Sequence, residues 1–352
     1  MPIEPNFMER LMLLRLTKGP GNLLDMLGAM GFKAILTVLK LGVFEALKDG
    51  PLSSRDVAER TRASERGIEL LLRCLDALGY AKEAGGRWEN SALARRWMLH
   101  APANPIADMF TYWDQCLERW GHMDETIRHG RPPVTAWEDV ARRPRGWEIY
   151  QAFMRGFANM AVGEILGRAA LPQDARRLLD VGGGHGTYSI AFCRNHPGLS
   201  ATILDLPEAM EPARKTIAAE HMEDRVTLRE GDFWTADLGS GFDVALLFNV
   251  IHMYAPEKNR ELLGKVAAAL GPGGQVIIMD QMAVRASGPV AKVTAALVGL
   301  HLLNEVGGQS HDPGQVTGWL RAAGCPKARW TALRTVPGVA LAFGARERPG
   351  PG

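Results

Sequence analysis

Residues 178–189 read LLDVGGGHGTYS, and they carry the clearest chemistry in the chain. Asp180 is followed by Gly182, Gly183, Gly184 and Gly186. Missing Cβ atoms allow unusual φ values and let a ligand approach the backbone closely. A turn of this kind sits nearest the ligand when it joins the first strand of an open α/β sheet to a helix. The spacing is D-x-G-x-G-x-G, whereas a dinucleotide fingerprint starting at Gly182 needs a glycine where Thr187 stands. A carboxylate at the strand end repels a pyrophosphate and attracts an ammonium. S-adenosylmethionine carries that ammonium and no phosphate, so it is the cofactor these residues imply.

Further acids extend the argument. Asp205 ends the next apolar run, close to the roughly 20-residue offset at which an acid accepts both ribose hydroxyls. Asp232, in EGDFW, is placed to reach the adenine amino group, with Phe233 or Trp234 against the ring. Leu206, beside Asp205, and Asn249, at the end of the fourth strand, complete the expected cofactor set. A Mg²⁺ site would need clustered oxygen ligands, and Asp280, Asn249 and His252 are candidates to gather at one rim. The strand-end acids serve the cofactor better, and no metal is expected.

These residues need a scaffold. RRLLDV, SATILDL, RVTLREGDF, DVALLFNVI and QVIIMD alternate with helical stretches, as in a parallel sheet covered on both faces. RWTALRTV and GVALAFGAR are separated only by Pro337 and Gly338, too little for a parallel crossover, so an antiparallel hairpin is predicted. Earlier, AILTVLKLGVFEAL, SSRDVAERT and SERGIELLLRCLDALGY have helical spacing, and AKEAGGRWEN has a Gly-Gly turn between short segments. Three helices and a hairpin make a winged-helix pattern. The expected division is 1–105, a winged-helix-like unit; 106–170, a helical connector lining the active site; and 171–352, a Rossmann-like α/β cofactor domain.

With 352 residues the chain is long enough for two domains. A net charge of +2 and short basic clusters argue against nucleic acid as partner, and the third helix of the winged-helix pattern offers Arg66 and Arg73 beside Glu65 and Glu69. No apolar run approaches the roughly 18 residues of a membrane span, and MPIEPNFMER has no signal pattern, which points to the cytoplasm. The four cysteines are scattered, indicating neither a zinc site nor a disulfide framework. Only the tail RERPGPG is expected to be disordered.

Together LLDVGGGHGTYS, LDLP, EGDFW, FNVIHMYAPEKNRELLGKVAAALGPGG and the late pair Gly307–Gly308 resemble the small-molecule O-methyltransferase family, which includes plant caffeic acid and isoflavone methyltransferases, acetylserotonin methyltransferase and bacterial antibiotic-pathway enzymes. The resemblance covers nearly the whole chain. It implies a class I methyltransferase sheet with a terminal antiparallel hairpin, an amino-terminal domain that builds a homodimer, and methyl transfer to a hydroxyl of a small aromatic or polyketide-like acceptor. It also implies that His252 is the general base. The pattern departs from the plant enzymes at Met253, where they have an aspartate, and at Gln309 and Ser310, where a glutamate orients the histidine. The orienting acid is therefore open among Glu305, Asp312 and Asp280. Phe153, Phe157 and Met160 share one helix face, which is either core or a wall of the acceptor pocket; His301, Asn304 and Glu305 are further pocket residues. The alternatives are transfer to carbon, nitrogen or sulfur, or a decarboxylase or hydroxylase that retains the cofactor.

Overall fold

The computed structural model describes residues 4–100, 106–284 and 288–348, and part of the tail expected to be disordered lies outside them. Two compact units divide the chain, Met1–Gln115 and Cys116–Gly352.

In the first unit, the helix expected over AILTVLKLGVFEAL is two helices, Leu23–Leu41 and Val43–Ala46. Gly42, with φ 72°, takes the left-handed conformation that ends the first. Helix Ser54–Thr61 starts with a capping box between Ser53 and Asp56, and helix Glu65–Ala77 is capped by Ser64. Strands β1 (Ala81–Ala84) and β2 (Arg87–Asn90) pair antiparallel across Gly85 and Gly86, both at positive φ. Val38, Phe44, Val57, Ile68, Leu72 and Trp88 form the core shared by these helices and the hairpin.

The second unit carries helices Met123–His129, Ala136–Arg142 and Gly146–Arg168 before a seven-stranded sheet. Its strands are β3 (Arg177–Val181), β4 (Ser200–Asp205), β5 (Val226–Glu230), β6 (Phe242–Phe248), β7 (Leu270–Gln281), β8 (Arg329–Ala332) and β9 (Val339–Ala345). The spatial order is β5-β4-β3-β6-β7-β9-β8, with β3 to β7 parallel and β9 antiparallel between β7 and β8. Alternate residues feed different layers. Leu178, Ile203, Val244, Leu246 and Ile277 join one core, while Leu179, Leu204, Ala245, Leu247 and Ile278 join the other. Ala158, Ala161 and Ile165 from helix Gly146–Arg168 and Phe192 from helix Thr187–Asn195 cover the first face. Leu262 and Val266 from helix Pro256–Ala269, with Val316 and Leu320 from helix Pro313–Ala322, cover the second.

The terminal hairpin is antiparallel as predicted, but β8 stops at Ala332, and past it only Leu333 continues the pairing, donating N–H to Val339 O at 2.9 Å. The connection is accordingly longer than Pro337–Gly338. Strand order reverses on either side of β3, which opens a crevice at the carboxyl ends of β3 and β6. Among the described residues no helix is long and apolar enough to cross a membrane.

Candidate active site

Gly182, Gly184 and Gly186 follow β3 with φ of 72°, 49° and 74°, so side chains would be strained at all three. A Cβ on Gly183 would lie 2.5 Å from the Asp180 carboxyl carbon, and one on Gly182 would lie 3.1 Å from Val250 and 3.9 Å from Phe233. The turn therefore packs over Asp180 and beneath the loops after β5 and β6. Asp180 is 1% exposed; one oxygen accepts Ser189 Oγ–H at 2.7 Å, and the other has no partner. Burial, with the negative Asp205 nearby, pushes its carboxyl up to about 7 against the Ser189 hydrogen bond.

Asp205 ends β4 and accepts the Gly184 N–H at 2.7 Å and the Leu206 N–H at 2.8 Å. Its pKa is raised by burial, partly offset by those two bonds. Leu206 is 47% exposed, presenting an apolar surface beside the acid. Asp232, past β5, accepts the Trp234 N–H at 2.9 Å, and Phe233 stands edge-on to Tyr254 at 6.2 Å. Lys265 holds this loop by donating to the carbonyls of Phe233 and Trp234, each at 2.7 Å. Asn249 leaves β6 with φ 56° and donates its N–H to Met279 O at 2.8 Å.

His252 lies in a short 3₁₀ turn after β6. Its Nδ1 is 2.6 Å from Oδ1 of Asp280, a fully buried residue near the end of β7, and its backbone N–H donates to Asp280 Oδ2 at 3.2 Å. A carboxylate only accepts, so the Nδ1 position is the donor, and in the neutral imidazole this leaves the lone pair on Nε2. The open choice of orienting acid is thereby narrowed. Glu305 is buried against Arg119, accepting Nε–H at 2.9 Å and a second bond from Nη2. Asp312 caps helix Pro313–Ala322 through the N–H groups of Gly314 and Gln315. Gly308 explains the late glycine pair: its Cβ would lie 2.3 Å from the His252 carbonyl oxygen, which accepts the Gln309 N–H at 2.8 Å.

The expected pocket residues separate. His301 accepts Trp120 Nε1–H at 3.3 Å, and burial, Arg119 and His252 push its pKa down to about 4, so it is neutral. Asn304 turns toward helix Met123–His129, accepting Thr126 Oγ–H at 2.7 Å, and lines a small cavity of about 170 Å³ with Arg119 and His122. The stripe on helix Gly146–Arg168 is not one wall: Phe157 packs on the sheet core and Met160 is 40% exposed. Sequence reading overlooked Ser189, Arg119, Lys265 and Gln151. Their spacing gives no signal, because each acts through a side chain reaching another element.

The glycine cradle, a buried unpartnered carboxyl oxygen and a pinned acid after β4 suit a ligand with a cationic donor group and no phosphate. Against this geometry, the O-methyltransferase domain model matches residues 120–326 and the O-methyltransferase dimerisation domain model matches 24–100. The chain belongs to the O-methyltransferase family. As an S-adenosylmethionine-dependent methyltransferase, it is similar to the 3-hydroxy-5-methyl-1-naphthoate 3-O-methyltransferase of Streptomyces sahachiroi, 32% identical over 84% of this chain and 86% of that one. Similarity extends to the acetylserotonin O-methyltransferase of Rattus norvegicus, 27% identical over 92% of this chain and 76% of that one. In fold this O-methyltransferase matches the mitomycin 7-O-methyltransferase MmcR with a TM-score of 0.81, at 24% identity over 94% of this chain and 98% of that one.

Proposed function

We propose that this methyltransferase acts on a hydroxyl of a small aromatic acceptor, with His252 as general base and Asp280 as the residue that orients it. The observation that carries this is the 2.6 Å contact between His252 Nδ1 and Asp280, made where the strand ends meet the glycine turn. When bound, S-adenosylmethionine supplies an electrophilic sulfonium methyl. Gly182, Gly184 and Gly186 cradle it, Asp205 holds the ribose hydroxyls, and Asp232 with Phe233 and Leu206 borders the adenine. His252 Nε2 takes the acceptor's hydroxyl proton as the oxygen attacks. Asp280 stabilises the imidazolium that results. A phenol, with reference pKa of about 10, is mostly protonated at neutral pH and gains from such a base.

The dimerisation domain supports a homodimer, and the aromatic acceptors named for the relatives support an aromatic ring here. Four free cysteines are in keeping with work in the cytoplasm. Incubation with S-adenosylmethionine and a panel of phenols, followed by S-adenosylhomocysteine and methylated product, tests the reading. His252→Ala is expected to lower kcat by about 10²-fold or more while S-adenosylhomocysteine still binds. Unchanged turnover removes the base assignment.

A further inference from the structure

Gln151 lies in the second turn of helix Gly146–Arg168, far in sequence from the glycine turn, and is 3% exposed. Its Oε1 is buried and has no hydrogen-bond partner. Leaving an amide carbonyl unmet in the interior is costly, and native structures seldom do so without a reason. The helix crosses over helices Thr187–Asn195 and Pro207–Ala219, which begin just after the glycine turn and just after Asp205. This crossing carries Gln151 to the turn. A Cβ on Gly184 would lie 3.4 Å from Gln151 Oε1 and 3.9 Å from Asp205 Oδ2. Two acceptors from different elements thus converge on the space that glycine leaves open. On the other side of the turn, Asp180 Oδ1 is also buried without a partner.

From this convergence we infer that Gln151 is a cofactor-binding residue whose side-chain carbonyl accepts a hydrogen bond from the ammonium of the methionyl moiety. The inference rests on the cofactor reading above and adds a contact from outside the glycine-turn segment. The ammonium is the donor chemistry the place asks for. Asp205 already serves the ribose side of Gly184, and a neutral carbonyl adds an acceptor without adding a third negative charge beside two acids whose pKa values are already raised. Gln151 also ties the helix that carries Phe153 and Tyr150 to the cofactor.

Replacement by methionine keeps the length of the side chain and removes the carbonyl. Isothermal titration of cofactor-free Gln151→Met with S-adenosylhomocysteine and with 5′-methylthioadenosine, which has the same adenosine and no amino-acid group, tests the contact. Affinity for S-adenosylhomocysteine is expected to fall at least about tenfold, as for loss of a hydrogen bond to a charged group, with 5′-methylthioadenosine within twofold. The melting temperature of the cofactor-free variant is expected to be equal or higher, since an unmet buried acceptor is gone. Unchanged S-adenosylhomocysteine affinity, equal losses for both ligands, or a lower melting temperature with both affinities reduced each overturns the inference. Failure of the unaltered protein to bind S-adenosylhomocysteine overturns the cofactor reading instead.

Discussion

Asp280→Asn separates orientation of the base from its presence. Asp280 accepts three hydrogen bonds: Nδ1–H and backbone N–H of His252 at 2.6 and 3.2 Å, and the Gln281 N–H at 2.7 Å. Asparagine has one oxygen for this role. With its oxygen in the Oδ1 position, the imidazole tautomer survives but the amide NH₂ faces a backbone N–H. With the amide turned over, NH₂ faces Nδ1 and the proton moves to Nε2, which can no longer accept. In both arrangements the negative charge beside the imidazolium is gone. At an effective dielectric of about 20, two unit charges about 4 Å apart interact by about 4 kcal/mol, or roughly three decades in rate. We expect kcat on an ordinary phenol to fall about 10²–10³-fold, with S-adenosylhomocysteine affinity unchanged within about twofold. The assay measures initial rates on two acceptors, an ordinary phenol and a nitrophenol already ionised at the assay pH. An ionised acceptor needs no base and loses far less. A loss below threefold on the ordinary phenol, or the same loss on both acceptors, would refute the reasoning.

Two further outcomes follow from the same geometry. Asp180 is expected to make the cofactor-free protein less stable as pH rises. Its folded pKa of about 7 stands above the ordinary carboxyl value of 3.8, so between these values the native state holds a proton that the unfolded state has released. Stability is then lost with rising pH, at up to about 1.4 kcal/mol per pH unit, and calorimetric melting across that window should show a flatter profile for Asp180→Asn. Gly308→Ala places a methyl 2.3 Å from the His252 carbonyl oxygen, so the segment must shift. Denaturant melts should show a loss of about 2–4 kcal/mol, with kcat reduced and S-adenosylhomocysteine binding retained; wild-type stability and turnover would show that the approach is not tight.

The strands, the glycine turn and the acids at their ends were legible because both signals are local. Short apolar runs alternating with helical stretches mark β3 to β7, and a missing Cβ marks the turn. Asp280 was legible only as one of three acids, since its partner is fixed by the pairing of β6 with β7, which brings Phe248 opposite Met279. Glu305 drew attention by standing beside the late glycines, yet Arg119, from a helix nearly two hundred positions earlier, holds it. The aromatic stripe at 153, 157 and 160 obeyed helical spacing, but periodicity states which residues share a face and not what that face meets. Gln151 gave no signal, because an amide inside an amphipathic helix looks like any polar position until its surroundings are built.

The pairing of β6 with β7 has a consequence for how such an enzyme diversifies. His252 and Asp280 hang from neighbouring strand ends, so their separation is set by the ladder spacing of the sheet, about 4.8 Å between strands. Helix Gly146–Arg168 belongs to neither strand. Substitutions on that helix are expected to leave the His252–Asp280 register in place, so sequence change there need not pass through a protein whose proposed proton-transfer pair is broken.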